Sequence, residues 1–233
     1  IIYNAALSLT EPPGFKNSAF PKILQPVSSE RDGIRIKGVL PIAVENPFIP
    51  VRGEWGVLAL TKIPLISAQT FTYVGDPNIL PVFYEQPDPR DLKTTNNSMN
   101  RVAVALTIRE RDGRESTLVT THFTWSPKGA STPEQAADTQ ALRSHLEKLA
   151  PHILCGDMNS PRGGATFELL AAGYTDALPP EITGTLDPEY HPVGHLPLVV
   201  DVLLAHPGYV VTNVEMHSGV SDHCALTARV ERV

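Results

Sequence analysis

Two apolar runs joined by a short Asp-Gly turn constrain this chain most. Residues 101–108 (RVAVALTI) and 116–121 (STLVTT) flank Asp112 and Gly113. An Asp-Gly turn between apolar runs is a strong short-range signal of a β-hairpin. A hairpin is stable only when it joins a larger sheet or packs on a helix, so we expect the chain to build around a sheet.

Helices interleave with further short apolar runs, which predicts a layered α/β domain. We expect one domain over residues 1–233, because a chain of this length can bury a large core. Thr132 is expected to cap a helix, with Gln135 completing a capping box, and Gly173 to stop a second helix. The expected helices are 133–149 and 165–172, and the further strands are 56–61, 152–155, 198–205 and 225–230. Most of the first fifty residues and of 75–99 is predicted as loop, with one candidate strand at 34–44.

Composition limits the partners. The net charge is -6 and lysine and arginine are scattered, which counts against a nonspecific nuclease that must grip long duplex DNA. No apolar stretch approaches the ~20 residues that span a bilayer. Cys155 and Cys224 are expected to be small buried side chains rather than a disulfide. The chain starts at Ile1 rather than Met, so we expect residues upstream to have been removed, and localisation stays open between cytoplasmic and secreted.

Polar side chains stand at the ends or within four apolar strands, where a packed core would not place them. Each signal is weak alone, since a lone histidine is more often structural and an Asp-x-Asn run is often a simple turn. These residues are His122, Asp157, Asn159, Asp201, Asp222 and His223.

The chemistry of these side chains suits the handling of a phosphate. A carboxylate can orient or deprotonate a water, and an amide can donate to a phosphate oxygen without adding charge. Asp222 beside His223 combines an oxygen ligand with a proton-transfer group. Asp201, within an apolar strand, must be paired if it is buried, and a carboxylate near a histidine ring would fix its tautomer.

The order and context of these motifs resemble the endonuclease/exonuclease/phosphatase superfamily. The carriers of the resemblance are TTHFTW, LCGDMNSPRGG, VVDVLL and SDHCAL, preceded by GEWGVLALTKIPL, and it covers approximately residues 53–230. The resemblance implies a four-layered α/β sandwich, with two facing mixed sheets flanked by helices. It also implies hydrolysis of phosphoester bonds with Mg²⁺, for which Mn²⁺ can substitute.

The resemblance further implies a role for each residue. Asp157 would orient or activate the attacking water, and Asn159 would help to hold the scissile phosphate. His223 would be the histidine on the phosphate side, polarised by Asp201. Asp222 would lie near the divalent cation. His122 would contact a nonbridging oxygen and stabilise the transition state.

Two elements of the superfamily are not evident, namely a first strand with an asparagine and a strand ending in Gln-Glu. Asn4 and Glu45 are imperfect substitutes, so we expect both elements upstream of Ile1. Arg162 is a candidate phosphate ligand, against the alternative of a surface arginine. Trp125 is a candidate for stacking on substrate, against the alternative of core packing.

Three functions remain open. The first is a Mg²⁺-dependent phosphodiesterase or phosphatase, acting as an expected monomer on a small-molecule, lipid or nucleic-acid phosphoester. The second is a DNA endonuclease, exonuclease or DNA-end-processing enzyme. The third, of another class, is a noncatalytic binding module that keeps the fold. A serine hydrolase and a zinc protease are disfavoured, because neither a G-x-S-x-G nor an HExxH motif is present.

Overall fold

A computed structural model describes residues 25–31, 34–40, 43–45, 52–54, 57–76 and 100–233. Their helices are α1 (Pro133–Leu146) and α2 (Ala165–Ala171). Their strands are β1 (Gln25–Arg31), β2 (Ile34–Leu40), β3 (Ala43–Glu45), β4 (Arg52–Glu54), β5 (Val57–Thr61), β6 (Leu65–Val74), β7 (Arg101–Arg109), β8 (Glu115–Thr121), β9 (His152–Asp157), β10 (Thr175–Asp176), β11 (Asp201–Ala205), β12 (Tyr209–His217) and β13 (Ala225–Arg232).

The main sheet has six strands in the order β10-β11-β9-β8-β7-β6. Its neighbours are antiparallel except for β8 and β9, which run parallel. A parallel pair needs a crossover connection, and α1 lies in the crossover between β8 and β9. The parallel pair therefore brings the carboxyl ends of β8 and β9 to the same edge of the sheet.

Alternation along β7 shows how both faces of the main sheet are buried. Ala103 and Ala105 pack in the cluster that contains Leu142 of α1. Val102 and Val104 point to the other face, where they pack in a cluster with residues of β5. A three-stranded sheet, β1-β2-β5, thus lies against the main sheet on the side away from α1 and α2, and the β12-β13 hairpin packs on that same side. This arrangement confirms the α/β sandwich; the outermost helical layer beside the second sheet is not seen among the described residues.

Several boundaries follow the sequence prediction. The 101–121 hairpin forms as expected, with its turn at Asp112 and Gly113. The hydroxyl of Thr132 accepts the N–H of Gln135, as a helix cap should. Helix α1 ends at Leu146 rather than at residue 149, and β11 begins at Asp201 rather than at residue 198.

Other parts of the prediction were wrong. Strand β1 lies in a stretch that the sequence predicted as loop, whereas β2 lies within the candidate strand predicted at 34–44; Asn4 and the rest of the first 24 residues lie outside the described residues. Strand β6 is largely exposed, and β12 is more than half exposed, so neither carries the buried run that marks a strand in sequence. The predicted loop at 77–99 lies outside the described residues.

Membrane-spanning segments and the two cysteines were also considered in the sequence. Within the described residues, no helix is long and apolar enough to cross a membrane. Cys155 and Cys224 both carry free thiols; Cys224 is buried and Cys155 partly so.

Candidate active site

Three strand ends bring the predicted site together. Because β8 and β9 are parallel, His122 after β8 and Asp157 at the end of β9 reach the same edge of the sheet. The backbone N–H of Phe123 donates to the carbonyl of Asp157 at 2.8 Å and ties the two ends together. Strand β11 runs antiparallel to β9, and its first residue, Asp201, is paired directly with Asp157. Residues paired in this way have side chains on the same face.

Gly156 makes this close approach possible. Its φ is +133°, and a Cβ atom there would lie 2.1 Å from the carbonyl oxygen of Thr121. Any other residue would therefore push the ends of β8 and β9 apart. The glycine before Asp157 is thus a requirement of the site, because it lets β9 approach the end of β8.

The Asp157 carboxylate lies between two imidazole rings. Its Oδ2 is 3.4 Å from Nε2 of His122 and 3.8 Å from Nε2 of His223. The other ring nitrogen of His223, Nδ1, is 2.7 Å from Oδ2 of Asp201. All four side chains are at least three-quarters buried, so these charges act through little water.

The two histidines take different charge states at neutral pH. Burial lowers the pKa of His122 to about 4, although Asp157 opposes the shift. Burial also acts to lower the pKa of His223, but the hydrogen bond and charge of Asp201, helped by Asp157, outweigh it and raise the pKa to about 9. A neutral ring and a positively charged ring therefore flank Asp157.

Burial also raises the pKa of the Asp157 carboxyl, and the nearby Asp201 charge adds to the effect. The two histidines and the N–H of Asn159 oppose the rise. A carboxylate with a raised pKa binds a proton more readily than an exposed one. Its environment therefore suits a proton acceptor.

Asn159 is held rigidly next to Asp157. Its backbone has φ +46°, its N–H donates to Oδ1 of Asp157 at 2.8 Å, and its Nδ2 donates to the carbonyl of Phe123 at 3.0 Å. An amide nitrogen carries two hydrogens, so one can still be donated to a ligand. The phosphate-holding role of Asn159 stays a prediction.

Gln135 has a role that the sequence did not reveal. Its side chain is buried and donates to the carbonyls of Thr124 and Asn159, instead of returning to the backbone of Thr132 as a capping box requires. The capping-box prediction was therefore wrong for the Gln135 side chain. From α1, it braces both loops that carry site residues.

The two candidate substrate contacts differ. The guanidinium of Arg162 meets Asp176 at 2.7 Å and donates to the carbonyls of Leu178, Pro179 and Ile182. These contacts give Arg162 a structural role in the loop after β10. Trp125 is 36% exposed, so it is not a core residue, and stacking on a substrate stays a prediction for it.

Asp222 is the predicted metal ligand. It is exposed next to His223, whose pKa its charge helps to raise. No three acidic, histidine or cysteine side chains of the described ranges form a group that could hold a metal ion. Mg²⁺ is often bound through only one or two carboxylates, with water and substrate phosphate completing its shell, so an exposed carboxylate fits that chemistry.

Comparison with known proteins identifies the family. Residues 6–223 match the model of the Endonuclease/Exonuclease/phosphatase family. The chain therefore belongs to this family, whose members are usually hydrolases of phosphoester bonds. No protein of curated function matches the sequence significantly.

Solved structures share the fold at low identity. A mannosyl-6-phosphatase of Bacteroides thetaiotaomicron VPI-5482 is 14% identical over 86% of this chain and 78% of its own, with a TM-score of 0.58. A family protein of Leptotrichia buccalis C-1013-b is 15% identical over 86% of this chain and 72% of its own, with a TM-score of 0.59. A functionally unknown conserved protein of Enterococcus faecalis V583 is 17% identical over 78% and 73%, with a TM-score of 0.57. At these identities the likeness establishes the fold alone.

Proposed function

We propose that this protein is a Mg²⁺-dependent hydrolase of phosphoester bonds, acting as a phosphodiesterase or phosphatase through in-line attack of water. The observation that carries the proposal is the buried Asp157 carboxylate between a neutral His122 and a charged His223. Hydrolysis of a phosphate ester needs an oriented water, neutralisation of charge on the phosphate oxygens, and help for the leaving oxygen. The three side chains match the first two needs.

Asp157 orients the water and accepts its proton as the water oxygen attacks phosphorus. Its raised pKa favours this role, because a base works best when its pKa is close to the working pH. The N–H of Asn159 holds one carboxylate oxygen, Oδ1, which leaves Oδ2 to face the water.

The two histidines act on the phosphate oxygens. His223, kept positive by Asp201, neutralises charge as it builds up on the phosphoryl group. The neutral ring of His122 donates a hydrogen bond to a nonbridging oxygen. Asn159 contributes its second amide hydrogen to the same phosphate.

The metal requirement is part of the proposal. Asp222 would hold Mg²⁺, with water and substrate oxygen completing its shell. When bound, the ion supplies Lewis-acid stabilisation of phosphate charge.

A substrate panel tests the proposal. An aryl phosphodiester, inositol phosphates, sphingomyelin, mannose 6-phosphate, and single- and double-stranded DNA are incubated with protein and Mg²⁺. The controls are an excess of chelator and the Asp157→Ala variant. We expect at least one member to be hydrolysed, with activity lost in both controls, and the preferred member identifies the subfamily.

The same experiment decides between the classes of function. Preference for DNA over every small phosphoester would support the nuclease alternative. No turnover of any member, together with no heat of Mg²⁺ or Mn²⁺ binding by calorimetry, would replace the enzyme with the noncatalytic binding module.

A further inference from the structure

A short segment that carries none of the residues assigned above lies directly beside the His223 loop. The backbone N–H of Asp187 donates to the carbonyl of Asp222 at 2.9 Å, and the N–H of Cys224 donates to the carbonyl of Thr185 at 2.8 Å. These two bonds hold the chain on both sides of His223. The segment from Thr185 to Asp187 therefore sets where the His223 backbone lies.

The side chain of Thr185 contacts the segment that carries Asp201, the partner of His223. It is fully buried, and its Oγ1 accepts the N–H groups of Val200 and Asp201, each at 3.1 Å. A single residue thus binds the start of β11 through its hydroxyl and the His223 loop through its carbonyl. Asp201 and His223 are distant in sequence, and Thr185 joins them.

Asp187 holds the loop that leads into the site. Its carboxylate is buried, Oδ1 accepts the N–H of Glu189 at 2.9 Å, and Oδ2 accepts the N–H of Gly219 at 2.7 Å. These backbone hydrogen bonds lower the pKa of the Asp187 carboxyl, which keeps it charged. Since Gly219 lies just before Asp222 and His223, this contact fixes the course of their loop.

We propose that Thr185 and Asp187 are positioning residues, which together fix the 2.7 Å contact between His223 and Asp201. Neither side chain touches the reacting atoms. The expected effect on rate rests on the phosphoester hydrolysis proposed above. The expected effect on structure rests on these contacts alone. Small displacements of catalytic groups are costly, since a misplacement of about 1 Å can lower a rate about a hundredfold.

Two variants of Thr185 test the positioning role of this residue. Thr185→Val keeps the shape but leaves the N–H groups of Val200 and Asp201 without this acceptor, and Thr185→Ser restores the hydroxyl. The matched control is Thr117→Val, a buried threonine at the far end of β8 whose hydroxyl meets Thr107 at 3.2 Å. We expect kcat of Thr185→Val to fall about tenfold or more with little change in KM, and Thr185→Ser to stay near wild type. The control should lose stability without losing kcat.

A variant of Asp187 and a matched control test the positioning role of Asp187. The Asp187 carboxylate accepts hydrogen bonds from two backbone N–H groups, one on each oxygen. In Asp187→Asn the amide NH₂ faces one of these donors, so that hydrogen bond is lost. Asp112→Asn is its control, because Asp112 also accepts a backbone N–H in a turn, from Arg114 at 3.0 Å, but far from the site. We expect kcat to fall in Asp187→Asn and to stay unchanged in Asp112→Asn.

Crystal structures of wild type, Thr185→Val and Asp187→Asn give a readout that needs no activity. The expected result is a lengthened or broken contact between His223 Nδ1 and Asp201 Oδ2 in both variants. An unchanged 2.7 Å contact, or a kcat equal to that of the matched control, would overturn the positioning role. If wild type hydrolyses no phosphoester, the proposed function fails, and the crystal structures alone decide the positioning role.

Discussion

The Asp201→Asn substitution gives the sharpest prediction, because Asp201 keeps His223 protonated. The pKa of His223 is about 9, against an ordinary value of 6.5, a difference of about 3 kcal/mol in favour of the charged form. At pH 8 a histidine with a pKa of about 9 is about 90% protonated, whereas one with a pKa of about 6.5 is about 3% protonated. At pH 6 both are mostly protonated. The loss of activity should therefore be roughly twentyfold greater at pH 8 than at pH 6.

The direct assay is a histidine NMR titration of the metal-free protein. In wild type the His223 ring should titrate near pH 9, and in Asp201→Asn its midpoint should fall towards the ordinary 6.5, since burial lowers the pKa and only the charges of Asp157 and Asp222 then oppose it. The same coupling contributes to the free energy of unfolding: it is fully present below pH 6.5 and is lost as the pH rises through about 9. Asp112→Asn serves as a control that should leave the titration unchanged. A His223 midpoint that stays near 9 in Asp201→Asn, or an equal loss of activity at pH 6 and pH 8, would refute the reasoning.

Three further predictions concern stability and metal. Gly156→Ala should lower the free energy of unfolding in urea by about 3 kcal/mol or more, because its Cβ would lie 2.1 Å from a carbonyl oxygen. Gly113→Ala, also at positive φ but with nothing within 4 Å, should cost only about 1 kcal/mol, and equal costs would contradict the argument. His152 is buried with a pKa lowered mainly by burial, so the free energy of unfolding should fall as the pH drops below about 6.5. Thermal melts of His152→Asn should show less of this acid loss, and an identical pH profile would contradict it. A chelator should abolish hydrolysis without changing the far-ultraviolet circular dichroism, and added Mg²⁺ should restore the rate; hydrolysis that survives the chelator would contradict the metal requirement.

The main sheet was largely predictable because its strands carry local signals. The hairpin of β7 and β8 has an Asp-Gly turn, and β9 is a compact apolar run. Strand β6 lacks such a signal, because it is an edge strand with a largely exposed surface and follows Pro64. Strand β1 pairs with β2, and β2 pairs in turn with β5, so their stability depends on partners that a local pattern does not show.

The candidates His122, Asp157, Asp201 and His223 could be found in the sequence because each lies beside or within an apolar run, and because the order of these runs resembles a known family. Their contacts supply what the sequence could not, namely the distances and the opposite pKa shifts of the two histidines.

The supporting residues were not predictable in this way. Thr185 and Asp187 lie in no predicted helix or strand, and the N–H groups that their side chains accept from Val200, Asp201 and Gly219 are 15, 16 and 32 residues away in sequence. For Arg162 the sequence left a phosphate ligand and a surface arginine both open, because its contacts with Asp176 and three carbonyls depend on how the loop after β10 folds.

One comparison tests the central claim most directly, namely kcat/KM of wild type and Asp157→Asn on the best phosphoester substrate with saturating Mg²⁺. Asparagine keeps the shape and removes the charge and the proton acceptor. The account predicts a fall of about a hundredfold to ten-thousandfold with the fold intact by circular dichroism. A correctly folded Asp157→Asn with wild-type kcat/KM would show that this carboxylate does not act on the attacking water.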